Sequence, residues 1–296
     1  MRGSTIKLPE GEAICFCVAL HPEASPLIRH YSLKKDITSH KFALYRSCSI
    51  YLVVSGVGKL NAAIALSYLM TREVLPVNTY VCNIGLAGSV SSYDLGKMYL
   101  VHKVCDVAAA REYYPDMPKK HNLAETILYT YEEPVYTKPQ GIDVGLVDME
   151  GAGFFAAAKY YVSSHQIFLL KCVSDFLQPI ADFPKLAVEL MQEQLGSIDE
   201  FLQCIIDMPK KQSYRVKDGD VKRISQTFSL TSSEEIQLRE LLKSYYLLRK
   251  QELVQLFLKK GDLLAEKLAK QEKKKLFQEL CERAYQEITT LPRESN

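Results

Sequence analysis

The sequence predicts an α/β fold, a three-layer α/β/α domain around a central, largely parallel twisted sheet, followed by a C-terminal helical extension. Two observations predict it. Through residues 1–208, short β-like apolar runs alternate with helical stretches, the pattern that builds parallel sheets covered by helices. Past residue 209 those runs stop and the charge changes sign. Residues 209–296 carry 19 Lys and Arg against 13 Asp and Glu, a net of +6, which leaves 18 against 22, or −4, for residues 1–208. Met208-Pro209-Lys210-Lys211 and the polar stretch to Asp220 mark a boundary near 209.

Taken in order, residues 13–20, 50–54, 80–84, 98–101, 145–149 and 167–173 are short, rich in Val, Ile, Leu, Cys and Tyr, and read as buried strands. Residues 60–72 and 151–161 carry apolar side chains at helical spacing, and 183–206 reads as one long amphipathic helix. In the extension, Ser232 and Glu235 make a capping box that opens a helix to about 260. Leu238, Leu241, Leu242, Tyr245, Leu248, Val254, Leu256 and Phe257 supply its apolar positions. Gly261-Asp262 predicts a break and a second helix to about 288, giving an αα-hairpin over 209–296.

Composition narrows the function classes. With 47% hydrophobic and 24% charged residues the chain is globular, and its net charge of +2 gives no strong global field. Eight cysteines without a CxxC pair argue for buried thiols in a reducing, cytoplasmic compartment rather than a disulfide framework or zinc site. Cys15 and Cys17, two apart in a strand, are expected on one face. No run approaches the apolar length of a membrane span. Lys7, Glu10 and Glu12 before 13–20, with no cleavage site after it, argue against a signal peptide. The six histidines have no ligand spacing; His21 alone is placed near a cleft, and neither metal nor cofactor is implied.

Ligands of α/β sheets gather beyond the carboxyl ends of the strands, so the residues after each apolar run carry the argument. Ser55-Gly56-Val57-Gly58-Lys59 lets backbone N–H groups approach an anion or a sugar at a helix start. It is not a nucleotide phosphate loop, because Val53 stands where that loop needs its first glycine and Leu60 follows the lysine. Asn83-Ile84-Gly85-Leu86-Ala87-Gly88-Ser89 is a second small-residue turn. Asp148-Met149-Glu150-Gly151-Ala152-Gly153 and Val173-Ser174-Asp175 set carboxylates at strand ends, and the first strand exits through His21-Pro22-Glu23. Singly, each carboxylate also reads as a helix N-terminal residue stabilised by the dipole or cap.

At these residues the chain resembles the nucleoside phosphorylase superfamily, and within it the methylthioadenosine/S-adenosylhomocysteine nucleosidase-like branch. ALHPEA at 19–24, SGVGKLNAA at 55–63, NIGLAGS at 83–89, DMEGAG at 148–153 and VSD at 173–175 occur in the family's order over about two-thirds of the chain, and residues 209–296 lie outside it. The resemblance implies hydrolysis of the N-glycosidic bond of a purine nucleoside or thionucleoside, without a cofactor. It implies Asp175 as the acid to the purine and Glu23 as the base to water. Glu150 would bond the ribose hydroxyls and Met149 pack on the sugar. Ser89 falls beside the turn that meets ribose or nucleophile, with Ala87, Gly88 and Gly58 giving backbone access. A homodimer is also implied.

The resemblance stops short between Asp106 and Val147, where the chain carries Arg111 to Asp116 and then Tyr129, Tyr131 and Tyr136, tyrosines that stack on a base or cover the core. Phosphorolysis is the first alternative, disfavoured because the strand exits offer Glu23 and Lys59 rather than an arginine fork for phosphate. A nucleoside sensor without catalysis is another. A nucleic-acid adaptor using Lys259, Lys260, Lys267, Lys270 and Lys273–Lys275 is the third.

Overall fold

The computed structural model describes residues 6, 8–91, 93–118, 120–207, 218–247 and 269–290. The chain divides into two compact units, Met1–Pro209 and Lys210–Asn296. The boundary expected near 209 itself falls outside the described residues.

The first unit runs β1 (Glu12–Val18), α1 (His21–His30), β2 (Lys34–Lys35), β3 (Ala43–Ser47), β4 (Ile50–Val54), α2 (Lys59–Arg72), β5 (Asn78–Ser89) and β6 (Met98–Asp106). It continues through β7 (Arg111–Tyr113), β8 (Ala124–Thr130), β9 (Leu146–Asp148), α3 (Gly151–Ala158), β10 (Ile167–Asp175), α4 (Phe183–Glu193) and α5 (Leu195–Ile206). The expected helix over 183–206 is thus two, parted at Gln194, and each half buries its own apolar stripe.

The sheet is mixed and partly closed, which corrects the expectation of a largely parallel one. β1 runs parallel to β4 and β5, and β10 runs parallel to β5. β6 then pairs antiparallel with β10, β8 parallel with β6, β9 parallel with β8, and β9 returns antiparallel to β5. These five strands therefore close into a ring. The cause is the length of the connections, since a parallel neighbour needs a crossover and a short link reverses the chain. Residues 90–97 join β5 to β6 with no helix among those described, and the two-residue link Cys48-Ser49 folds β3 back on β4 as a hairpin.

Helices cover both faces. Ile14, Phe16 and Val18 point to one face with buried residues of α1, α4 and α5, while Cys15 and Cys17 share the other with residues of α2 and α3. The alternation follows from the two-residue period of a strand. Burial pushes the Cys17 thiol up to about 12, so it is an inert packing group.

In the second unit, α6 (Asp218–Phe228), α7 (Ser232–Leu247) and α8 (Lys270–Thr290) bury a cluster that includes Val221, Phe228, Leu238, Leu241 and Phe277. That is three helices among the described residues where the sequence pattern named two. The capping box sits one residue earlier than expected, with Thr231 N–H donating to Glu234 Oε2 at 2.8 Å and Glu234 N–H to Thr231 Oγ1 at 3.4 Å. Residues 248–268, with the expected Gly261-Asp262 break, lie outside the described residues. No described helix is long and apolar enough to cross a membrane.

Candidate active site

The ends of β1, β5, β9 and β10 meet at a cavity of about 430 Å³, on the carboxyl side of the parallel strands. Its wall includes Glu23, Glu133, Asp148, Glu150 and Asp175, and no lysine, arginine or histidine lines it among the described residues.

Glu23 enters from the first turn of α1 and is 3% exposed. Its carboxylate is held at both ends by backbone, Oε2 accepting from Leu20 N–H at 2.9 Å and Oε1 from Leu86 N–H at 2.8 Å. Burial raises its pKa from the ordinary value, and these N–H groups and the Lys171 charge oppose the rise. Glu150 stands at the start of α3, and its Oε1 accepts from Gly58 N–H at 2.8 Å. Gly58 has φ +104°, a conformation that a side chain would strain, so the turn that aims this N–H requires glycine. Burial, then the Asp148 charge, pushes Glu150 up to about 7.

Asp175 ends β10 and is half-buried. Ser174 Oγ donates to its Oδ2 at 2.6 Å, and Gln178 N–H to its Oδ1 at 3.2 Å. Met149, Ala87 and Gly88 line the same cavity. Ser89 does not. It is buried one residue beyond, with Oγ donating to Ser91 O at 2.7 Å, and it lines a neighbouring cavity instead. Gly58 also stands outside the lining and reaches the site only through Glu150, while Val57 beside it lines the wall. His21 is exposed, with its ring edge-on to Tyr45, away from the cavity. Of the three tyrosines, Tyr136 lines the wall, Tyr131 packs on Val90, Val147 and Leu177, and Tyr129 packs beside Gly145.

Behind the carboxylates lies a pair that sequence pattern did not single out. Lys171 Nζ meets Asp148 Oδ2 at 2.8 Å, with side chains 1% and 0% exposed. Asp148 also accepts from Thr130 Oγ1 at 2.7 Å and Gly151 N–H at 2.8 Å. Burial drives the Lys171 ammonium toward neutrality, but the Asp148 and Glu150 charges outweigh it and its pKa is raised. The available signal was a lone lysine inside the apolar run 167–173. Lys59 Nζ is occupied elsewhere, at 2.9 Å from Asp106 Oδ1 and 2.6 Å from Glu132 Oε1.

Chemically, the cavity sets one carboxyl held by a serine hydroxyl apart from two buried carboxyls whose pKa values are raised. That arrangement suits paired acid–base work on a neutral substrate and disfavours an anion. Among the described residues, no cluster of His, Cys, Asp and Glu fits a metal ion.

No protein-family model and no curated protein sequence matches the chain. Solved structures do. The chain is similar to the apo 5′-methylthioadenosine nucleosidase of Arabidopsis thaliana, at 20% identity and TM-score 0.57 over 67% of this chain and 97% of that one. A 5′-methylthioadenosine/S-adenosylhomocysteine nucleosidase from S. pneumoniae, bound to a transition-state inhibitor, matches at 18% identity and TM-score 0.54 over 66% and 99%. The futalosine hydrolase of Helicobacter pylori strain 26695 matches at 15% identity and TM-score 0.50 over 66% and 97%. The chain thus has, over about two-thirds of its length, the fold seen in 5′-methylthioadenosine and 5′-methylthioadenosine/S-adenosylhomocysteine nucleosidases.

Proposed function

We propose that this protein hydrolyses the N-glycosidic bond of a purine nucleoside or thionucleoside. The observation that carries the reading is one cavity lined by Glu23, Glu150 and Asp175 with no cation among its described lining residues. The fold shared with N-ribosyl hydrolases supports it.

In this reading the purine departs as the sugar gains oxocarbenium character. Asp175 gives a proton to the ring nitrogen of the leaving base, and Glu23 takes one from the water that attacks the sugar carbon. The C–N bond breaks, a C–O bond forms, and free purine and free sugar leave. A buried carboxylate with a raised pKa is a stronger base than an exposed one, while its two backbone N–H partners fix its direction. Glu150, anchored on Gly58 N–H, has its second oxygen for the ribose hydroxyls, and Met149 packs on the ring.

Phosphorolysis is disfavoured, because the carboxylates repel phosphate and Lys59 is paired with Asp106 and Glu132. A second copy of the chain is the proposed oligomeric partner. The test is base release by the Asp175→Asn and Glu23→Gln variants. Each is expected to lower kcat by roughly 10²–10⁴, the range for removal of a general acid or base, with little change in KM. Full kcat in either variant would remove its assigned role.

A further inference from the structure

A second, open cavity of about 610 Å³ lies against the first and shares Tyr136, Leu177 and Gln178 with it. Three features mark it as a continuation of the site. First, Leu177 and Gln178 of the shared wall come just after Asp175, so that wall lies on the side of the cavity where the acid stands. Second, Leu177 forms that wall with φ +59°, a left-handed conformation unfavourable for leucine, and is 6% exposed in a small cluster with Val90 and Val147. Such strain persists only where the surroundings over-determine it, and it concentrates at ligand sites. Third, the rim exposes two large aromatics, Phe176 at 49% and Tyr136 at 58%. Tyr93 makes a rigid floor, held by a bond from Thr126 Oγ1 at 2.9 Å and an edge contact with Tyr99.

The charges in this second cavity are neutralised locally. Asp94 pairs with Lys97 at 3.2 Å and Lys138 with Asp143 at 3.0 Å. What remains for a ligand is aromatic surface, the hydroxyls of Ser91 and Thr137 and the amide of Gln178. That chemistry takes a neutral, planar, amphipathic group and gives no advantage to an anion.

We propose that this cavity is a subsite for a planar substituent on the exocyclic position of the leaving purine. The inference rests on the reading above, in which Asp175 faces the base while Glu150 and Gly58 mark the sugar end. A group on the base extends past Leu177 into the second cavity, and a group on the sugar does not.

The test compares adenosine with N6-benzyladenosine as substrates, and adenine with N6-benzyladenine as calorimetric ligands, in the full chain and in Ser91→Trp and Phe176→Ala. The benzyl compound is expected to show a kcat/KM roughly tenfold above the parent, a gain of the size one well-filled pocket supplies. Ser91→Trp fills the cavity and Phe176→Ala strips its rim, so each is expected to erase most of that ratio. Two variants of opposite volume guard against one that fails to fold. Equal rates for both nucleosides, or a ratio that neither variant moves, would overturn the subsite while base release stands. If no nucleoside is cleaved, the hydrolase reading fails by itself. The free bases then decide the subsite, with tighter N6-benzyladenine binding that is sensitive to Ser91→Trp supporting it and equal binding overturning it.

Discussion

Glu23 and Glu150 occupy one cavity, yet burial acts on them with different consequences. Glu23 has both oxygens on backbone N–H groups, whereas Glu150 has one oxygen on Gly58 and a charged neighbour in Asp148. Because Glu23 must be ionised to accept a proton, base release is expected to fall with acid at a pH above the ordinary carboxylate range. A pH–rate profile of kcat/KM reads that limb directly, and a limb at the free-carboxylate value would contradict the role. Glu150 makes a stability prediction instead. Its folded pKa of about 7 exceeds the ordinary value of 4.5, so the folded state binds the proton more tightly. The stabilisation is fully present below about pH 4.5 and is lost as pH rises through about 7. Glu150→Gln is therefore expected to stabilise the fold by roughly 1–3 kcal/mol at about pH 8, with the gain vanishing near pH 4, in denaturant titrations at both pH values.

At the scale of elements, the site depends on two close approaches. Lys171 of β10 and Asp148 of β9 join strands that share no hydrogen bonds with each other, across the closed part of the sheet. Removing one partner strands a buried charge, so Lys171→Met is expected to cost about 3–5 kcal/mol in chemical denaturation. The double variant with Asp148→Leu should recover much of that loss. Gly153 of α3 faces the start of α2, where an added Cβ would stand 1.9 Å from Lys59 O. Gly153→Ala must therefore push α3 from α2, at a cost of about 1–3 kcal/mol or more, and loosen the Gly58–Glu150 contact. A lowered Tm together with a raised KM would report both effects.

The same elements show what was legible in the sequence. Strand 50–54, the start of strand 98–101 and helix 60–72 stood out because apolar runs and helical spacing were clean, and they agree with β4, β6 and α2 to within a residue where compared. α1 was not named among the helices and was present only as the alternative reading of Glu23 as a first-turn carboxylate, a position that Pro at N1/N2 suits. β3 and β8 escaped because their half-exposed patterns carry Arg46, Glu125 and Thr126 among apolar residues. Without them neither the hairpin edge nor the closure of the sheet was visible. Of the named site residues, Glu23, Asp175, Glu150, Met149, Ala87 and Gly88 line one cavity, because each lies at or within a few residues of the end of a strand. Ser89 lay one residue too far along, and the Lys171–Asp148 pair depends on a long-range contact that local pattern does not encode.

For the whole molecule, every group assigned to the chemistry belongs to the unit Met1–Pro209, while the helices of the second unit bury a cluster of their own. In that cluster Phe277 lies 5.9 Å from Phe228, ring to ring. Phe277→Ala is expected to destabilise the helical unit by about 3–5 kcal/mol, seen as early loss of helical circular dichroism, with base release per folded α/β unit unchanged. Lys274 of α8 is paired with Glu234 at 3.2 Å, which lowers its value as a phosphate contact. The most direct measurement of the central claim is purine release from methylthioadenosine, adenosylhomocysteine, adenosine, inosine, guanosine and futalosine, with and without phosphate. Release that is independent of phosphate and lost in both Asp175→Asn and Glu23→Gln is the predicted result. Release only with phosphate, or undiminished release in those variants, would contradict the account.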